Sequence, residues 1–312
     1  MAASSVTVDP GGRRQRRAFG HRVSGRLLGM GMLLPAAAML TVVIIIPIVY
    51  SAVLSTAEWG LTDMNGDKPF VGFTNFERLW SDPDIRKSLI NTFIFVVASV
   101  GTEVAVGFVI ANALFEVKIG KRFANALILL PMMTTPVVTG LVWRYLLDPQ
   151  FGLLSQVMRG AGSAGGMDWF GSQKLALPAL ILIDFWQWTP FCVLVLHAGM
   201  LSIPEHLFEA ARIDGASRIQ IIKAIMIPAL VPQFLLVLLF RTMDTFRVFD
   251  TVFLLTKGGP ARATETVGFF NYKTGFEYFD MGYAMAQSIM MLVAILLFSV
   301  PYIRLLRKRS MI

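Results

Sequence analysis

Residues 175–200 read LALPALILIDFWQWTPFCVLVLHAGM, an almost unbroken apolar run whose only carboxylate is Asp184. At a rise of about 1.5 Å per residue, a helix of this length crosses the hydrocarbon core of a bilayer, which is about 30 Å thick. A helix that is apolar on every side is typical of a membrane span. The stretch therefore predicts a transmembrane helix in which Asp184 faces a cavity or another polar group, since a carboxylate facing lipid is unfavourable by several kcal/mol.

The same apolar pattern recurs along the chain. Hydrophobic residues make up 55% of the 312 residues and charged residues only 15%, a composition that does not describe a water-soluble domain. Short polar connections separate the apolar stretches, so the sequence predicts an all-α polytopic membrane protein with about six transmembrane helices. These helices are predicted at about residues 27–50, 89–115, 123–147, 175–200, 224–249 and 283–306.

Lys and Arg gather at particular ends of the apolar stretches, and the net charge is +8. With the N-terminus inside, the short inner segments hold more than half of the 28 Lys and Arg residues, as the positive-inside rule requires. This predicts a basic cytoplasmic arm at 1–26, a transmembrane domain at 27–307 and a cytoplasmic tail at 308–312. The first apolar run is too long for a cleaved signal peptide. Because a bilayer explains the basic charge, no nucleic-acid partner is expected.

The sequence contains no pattern that indicates a metal site, a cofactor site or a catalytic site. The single cysteine, Cys192, cannot form a disulfide within the chain, and His21, His197 and His206 lack the paired spacing of metal ligands. The sequence contains no Walker A loop and no nucleophile with a recognisable histidine base. We therefore predict a chain that is not an enzyme, binds no cofactor and holds no metal.

The inner loop at 201–223 predicts two short helices joined by a tight turn. Ser202 can cap the first helix, with Pro204 in its first turn, and Gly215 supplies the chain reversal. Ser217 can then cap a second helix that leads into the membrane. The first helix would present the carboxylate of Glu209 beside small side chains, which allow another protein's backbone to approach closely.

This loop resembles the EAA loop of ABC importer permeases, with Ile227 at a position where that family usually has Leu. The residues that carry the resemblance are Glu209, Ala210, Ala211, Asp214, Gly215, Ile225 and Pro228. The resemblance implies that the loop is a coupling helix, docked in a groove of a separate ATPase subunit that binds ATP and Mg²⁺.

Further motifs resemble permeases of the carbohydrate uptake family that includes the maltose importer, over nearly all of 27–307. They are Leu130-Pro131, Pro136, Trp143-Arg144, Leu147-Asp148, the 246–250 segment FRVFD, the 255–260 segment LTKGGP and Gly282-Tyr283. The resemblance implies a permease subunit in a bacterial plasma membrane that pairs with a second permease, two ATPase subunits and an extracytoplasmic binding protein. The expected solute is a sugar or polyol.

Polar residues inside the predicted membrane helices mark a candidate substrate site, because sugars are bound by aromatic faces together with carboxylate, amide or guanidinium groups. The candidates are Asp184, Trp186, Gln187, Trp188, Arg241, Asp244 and Arg247. Alternatively, the spacing of three residues from Arg241 to Asp250 is that of an ion-pair ladder within one helix. Glu103, alone in the second helix, is expected to bond a neighbouring helix, with substrate or proton handling as the alternative.

Two questions stay open at the level of sequence. A proton-coupled secondary transporter would explain the carboxylates Glu103, Asp184 and Asp244, although it would not explain the 201–223 loop; a channel or scaffold would leave that loop equally unexplained. The solute is either neutral or, since Arg144, Arg241 and Arg247 lie near the outer mouth, an anionic sugar derivative.

Overall fold

The computed structural model describes residues 25–60, 62, 68–117, 119–160 and 167–310. Most of the predicted 1–26 arm and the last two residues of the predicted 308–312 tail therefore lie outside the described residues. The chain divides into two compact units, Met1–Tyr50 and Ser51–Ile312. In the described residues, the β-type pairings are two isolated bridges, Ala57 with Phe70 and Gly60 with Asp280. The predicted all-α class is confirmed.

In the first unit, helix α1 (Gly25–Leu40) continues through a π-helical turn at Thr41–Ile45 into helix α2 (Ile46–Leu54). The apolar length Met32–Leu54 suffices to cross a membrane, and it ends a few residues later than the predicted first helix, 27–50. Its large side chains are exposed, Leu33 and Val43 among them. This is the pattern of a helix that is apolar all round and meets lipid or another membrane protein.

The second unit is built from thirteen further helices in the described residues. They are α3 (Thr74–Ser81), α4 (Pro83–Glu116), α5 (Lys121–Met133), α6 (Pro136–Leu146), α7 (Leu153–Gly160), α8 (Ala176–Leu201), α9 (Glu205–Ile213), α10 (Arg218–Ile221), α11 (Ile227–Ala229), α12 (Val231–Phe246), α13 (Asp250–Leu255), α14 (Val267–Tyr272) and α15 (Met281–Ser310). Two π-helical turns, Ile222–Met226 and Lys273–Glu277, continue α10 and α14.

Three of these helices are long and apolar enough to cross a membrane without a break: α4, α8 and α15. Helix α4 begins six residues before the predicted 89–115 stretch because its start is set by a cap rather than by hydropathy. Asp82 accepts a hydrogen bond from the Asp84 backbone N at 2.8 Å, and Pro83 occupies the first helical turn. With Met32–Leu54, the described residues thus contain four uninterrupted candidate spans.

The predicted third and fifth helices, 123–147 and 224–249, each contain a break in the structure. Helices α5 and α6 meet at an angle of 94°, and the helical stretch Arg218–Ala229 meets α12 at 64°. Proline explains the positions of both breaks, because it removes a backbone donor and disfavours helix in the residue before it. Pro136 starts α6, and Pro232 lies in the first turn of α12. Counting each bent pair as one span gives the predicted six.

Helices α4 and α8 form the central pair of the second unit. Their close approach depends on Gly107, where an added Cβ would lie 2.6 Å from the Cβ of Cys192. Small residues at helix crossings allow such contact in membrane proteins. One apolar cluster joins the C-terminal ends of this pair to α9 and to Leu230, and two others surround their N-terminal halves. The polar side chains of the middle turns lie between these apolar clusters.

Candidate functional site

The side chain of Arg241 lies at the centre of a buried ion cluster between α4, α8 and α12. Its guanidinium is 2% exposed. Nε donates to Glu103 Oε2 at 2.6 Å and Nη2 donates to Glu103 Oε1 at 2.8 Å, so the two groups form a bidentate pair. Planar pairs of this kind are the strongest form of the arginine–carboxylate interaction. The pair connects residues 138 positions apart in the chain.

Two more carboxylates, those of Asp184 and Asp244, accept hydrogen bonds from Arg241. Nη2 also donates to Asp184 Oδ2 at 2.8 Å, and Nη1 donates to Asp244 Oδ2 at 3.0 Å. Asp244 in turn accepts a bond from Arg247 at 3.2 Å, which continues the cluster toward solvent. The ion-pair ladder that the sequence gives as an alternative is therefore present in part, from Arg241 through Asp244 to Arg247, and Arg241 joins it to α4 and α8. In the described residues it does not continue to Asp250, which begins α13. Because Arg241 of α12 bonds Glu103 of α4 and Asp184 of α8, the cluster ties three helices together.

An aromatic ring covers one face of the buried guanidinium. The Cζ atom of Arg241 lies 4.9 Å from the ring centroid of Trp188, within the range of a cation–π interaction. Trp188 is one helical turn after Asp184, so both side chains project from the same face of α8. The ring thus separates part of the ion cluster from the space beyond it.

That space is a cavity of about 270 Å³, bounded by α8, by the start of α6 and by the segment that links α12 to α13. It is lined by Pro136, Asp184, Gln187, Trp188, Asp244, Thr245, Arg247, Val248, Phe249, Asp250 and Thr251. The Gln187 side chain also donates to the Thr134 carbonyl at 3.2 Å, where α5 ends. The start of α6 therefore borders the cavity through Pro136, and the end of α5 holds the Gln187 side chain in place.

The structure brings most of the predicted substrate residues together. Five of the seven predicted substrate residues line the cavity: Asp184, Gln187, Trp188, Asp244 and Arg247. Arg241 lies behind the lining and contacts the carboxylates instead. Trp186 points elsewhere, because it packs edge-on against Trp143 with ring centroids 5.7 Å apart and is 38% exposed. Its position follows from helical periodicity, since residues two apart project from different sides.

Six of the lining residues are not among the substrate residues predicted from the sequence. They are Pro136, Thr245, Val248, Phe249, Asp250 and Thr251. The last five belong to the end of α12 and the start of α13, where the chain turns at Arg247–Phe249. An apolar stretch that contains Arg247 and Asp250 within four residues signals such a turn, because a straight span would place these charges in lipid.

The 201–223 loop folds as two short helices, largely as predicted. Helix α9 covers Glu205–Ile213, Gly215 has φ +73°, and Ser217 caps α10 in a reciprocal capping box with Gln220. The predicted cap by Ser202 is wrong. Its hydroxyl donates to the Gly199 carbonyl at 2.7 Å, since the preceding helix α8 runs on to Leu201 and leaves unpaired carbonyls at its end.

The motif residues of this loop form a surface. Glu209, Ala210, Asp214 and Gly215 are exposed, and Ala211 is half-buried. On the opposite side of α9, Phe208 is buried and its ring lies 5.6 Å from that of Phe115 at the end of α4. A salt bridge of 2.8 Å from Arg218 to Glu116 makes a second connection to α4. Helix α9 is thus anchored on one face and free on the other.

A second ion cluster fixes the segment after α13 to the start of α4. The buried Glu265 carboxylate accepts bonds from Arg262 Nε at 2.8 Å and from Lys273 Nζ at 3.0 Å. Arg262 also pairs with Asp84. Burial acts to lower the pKa of Arg262, but the bonds and charges of Glu265 and Asp84 outweigh it and raise that pKa above its usual value. Arg262 therefore stays charged.

Comparison with known proteins identifies the chain. Residues 103–309 match the family described as binding-protein-dependent transport system inner membrane component. The chain is 33% identical to the probable ABC transporter permease protein y4oQ of Sinorhizobium fredii over 89% of both chains. It is 34% identical to the trehalose/maltose transport system permease protein MalF of Thermococcus litoralis, over 90% of this chain and 94% of that one.

Its fold resembles two crystal structures of a bacterial ABC transporter that imports the acidic polysaccharide alginate. The TM-scores are 0.78 and 0.79, at 21% and 20% identity, over 90% and 93% of this chain and 95% and 98% of those chains. The predictions of an ABC permease and of a chain that is not itself the enzyme are confirmed. The chain belongs to the binding-protein-dependent inner membrane component family, the permease subunits of ABC transporters.

Proposed function

We propose that this chain forms one side of the path along which a sugar crosses the bacterial inner membrane, and that the sugar occupies the cavity beside α8 and α12. The observation that carries this proposal is the composition of the lining. Trp188 offers an aromatic face, while Gln187, Asp184 and Thr251 offer amide, carboxylate and hydroxyl partners. Carbohydrate sites combine these features, because sugars present C–H faces and hydroxyl rims.

The depth of the cavity supports the same proposal. Helix α8 is about 39 Å long, and Asp184 lies about 12 Å and Trp188 about 18 Å from its start, so Trp188 is the α8 lining residue nearest the middle of the helix. Alternating-access transporters hold their solute near the bilayer midplane, often beside broken helices. Here α6, the second half of the broken pair α5 and α6, borders the cavity through Pro136.

The relatives favour a carbohydrate without fixing its charge. One relative is named for trehalose and maltose, which are neutral, and the transporter of similar fold imports an acidic polysaccharide. A neutral di- or monosaccharide or a polyol agrees best with the aromatic and hydroxyl groups of the lining, and the anionic alternative is considered below.

The proposed assembly pairs this chain with a second permease, two ATPase subunits that carry ATP and Mg²⁺, and an extracytoplasmic binding protein. One of the structures of similar fold is a transporter in complex with a periplasmic protein. The exposed face of α9, with Glu209, Ala210, Ala211, Asp214 and Gly215, suits the role of a docking surface for an ATPase. Both termini are proposed to be cytoplasmic, on the side that the positive-inside rule gives.

Helix α9 and the following helix α10 each have one direct connection to the membrane helices. Phe208 contacts Phe115, and Arg218 pairs with Glu116, so both connections end on the last turn of α4. Helix α4 also carries Glu103, which bonds Arg241 behind the cavity. Displacement of α9 by an ATPase would therefore shift the support of the cavity, which is how we propose that ATP binding opens and closes it.

The proposal is tested by ATP-driven uptake of labelled trehalose and maltose by the reconstituted complex. Replacing Trp188 by Ala removes an aromatic contact worth about 0.5–1.5 kcal/mol, so KM should rise about three- to tenfold. The matched control is Trp80→Ala, because Trp80 is 93% exposed and outside the cavity. Equal KM values for Trp188→Ala, Trp80→Ala and the unchanged chain would show that the cavity is not the sugar site.

A further inference from the structure

The cavity beside α8 and α12 receives more negative than positive charge from this chain. Its lining contributes three carboxylates and one guanidinium: Asp184, Asp244, Asp250 and Arg247. Glu103 and Arg241 lie behind the lining and add one charge of each sign. Carboxylates therefore outnumber guanidiniums by two.

Arg241 cannot compensate for this excess by binding an anion. All but one of its N–H donors are already bonded to Glu103, Asp184 and Asp244. Its guanidinium is 2% exposed, and the Trp188 ring covers one face. An anionic solute would have to displace a carboxylate from a bidentate or closely bonded pair, which is unfavourable in a buried site.

The other two charged residues of the lining, Arg247 and Asp250, do not offset the excess of carboxylates either. Arg247 is 69% exposed on its side chain and already donates to Asp244 at 3.2 Å. Asp250 is exposed and, within the described residues, has no hydrogen bond or ion pair to neutralise it. The one accessible cation is thus shared with a carboxylate, while one carboxylate faces the cavity alone.

We propose that this cavity discriminates by charge: it accepts neutral sugars and amino sugars and rejects sugars that carry a carboxylate, sulfonate or phosphate. The inference rests on the proposed function and narrows its substrate class. Asp250 is the specificity-determining residue on this chain, and Arg241 is a positioning residue that holds Asp184 and Asp244 at the lining. Two charges about 8 Å apart in a site with an effective dielectric constant of about 20 change affinity by more than about tenfold.

The test is equilibrium binding of sugars to the purified complex without its binding protein, so that only the transmembrane subunits determine which sugars bind. The probes are tritiated neutral mono- and disaccharides, trehalose and maltose among them, each with its uronate and its amino derivative. We expect the uronate to bind at least about tenfold more weakly than its neutral parent, and the amino derivative to bind at least as tightly. Tighter binding of the uronates would overturn the proposal and leave the sugar-path function standing. Binding of none of the three classes would overturn both.

A variant isolates the contribution of this chain. Asp250→Asn keeps the size of the side chain and removes one charge, so the ratio of neutral to uronate affinity should fall about three- to tenfold. The matched control is Glu77→Gln, which removes an exposed carboxylate outside the cavity and should leave that ratio unchanged. An unchanged ratio in Asp250→Asn, or an equal change in Glu77→Gln, would contradict the role assigned to Asp250.

Discussion

At the scale of single residues, burial of the ion cluster has an unfavourable desolvation free energy, which close hydrogen bonds between the charged groups offset. Removing a carboxylate or a guanidinium from water is unfavourable by several kcal/mol per ion, and attraction offsets this only when the groups are closely bonded. Arg241 meets that condition with bonds of 2.6 to 3.0 Å to Glu103, Asp184 and Asp244. The cluster is therefore sensitive to loss of any one partner.

Replacing Arg241 by Gln leaves Glu103 and Asp184 buried without a cation. We expect a loss of about 3–5 kcal/mol in stability, seen as a lower thermal inactivation temperature of the purified complex. The control Arg247→Gln removes a guanidinium that is 69% exposed and should change stability by less than about 1 kcal/mol. Adding Glu103→Gln to Arg241→Gln should restore part of the loss, because it removes one unpaired charge. Equal stability of the two single variants would contradict the buried cluster.

The candidate residues could be predicted from sequence as individuals but not as partners. A charge within an apolar run indicates a polar environment, so Asp184, Arg241 and Glu103 were identifiable. No local pattern reports that Glu103 bonds Arg241, because the two residues belong to different helices and are 138 positions apart. Because its partners cannot be identified from the sequence, Arg241 is predicted to line the substrate site, whereas the structure places it behind Asp184 and Asp244.

At the scale of helices, hydropathy predicts where the chain is apolar but not where it bends. The stretches at 123–147 and 224–249 are predominantly apolar, yet each contains a break that follows proline and cap chemistry. The hydroxyl of Thr135 accepts a bond from the Val138 backbone N and so starts α6 separately from α5. These breaks matter to function, since the α5–α6 junction borders the cavity.

The turn after α9 gives a prediction at this scale. Gly215 has φ +73°, a conformation unavailable to proline and unfavourable by about 1 kcal/mol for alanine. Nothing lies within 4 Å of the position of an added Cβ, so the effect of Gly215→Ala is one of backbone conformation alone. We expect Gly215→Pro to abolish ATP-driven uptake and Gly215→Ala to lower its maximal rate, with sugar binding to the complex retained in both variants.

The control for this turn is Gly101→Ala in α4, where an added Cβ also meets nothing within 4 Å and the backbone is helical. That variant should transport at the parental rate. If Gly215→Pro also transported at the parental rate in a fully assembled complex, the turn after α9 would have no part in coupling.

At the scale of the whole molecule, the described residues place the cavity and the exposed face of α9 in different regions. The cavity lies among α6, α8, α12 and α13, whereas the exposed face of α9 lies beyond the C-terminal end of α8. The two sites are joined through α4, which contacts α9 at Phe115, α10 at Glu116 and the ion cluster at Glu103. The proposed transport path and the proposed docking surface are therefore separate, as we expect of a subunit that receives its energy from another protein.

The most direct test of this account is the energy source of uptake in proteoliposomes. The complex with its ATPase subunits should import labelled sugar only when supplied with ATP and Mg²⁺, and a protonophore should leave the initial rate unchanged. The chain alone should import nothing, with or without an imposed proton gradient. Sugar import by the chain alone, driven by that gradient without ATP, would contradict the account and would favour a proton-coupled transporter using Glu103, Asp184 and Asp244.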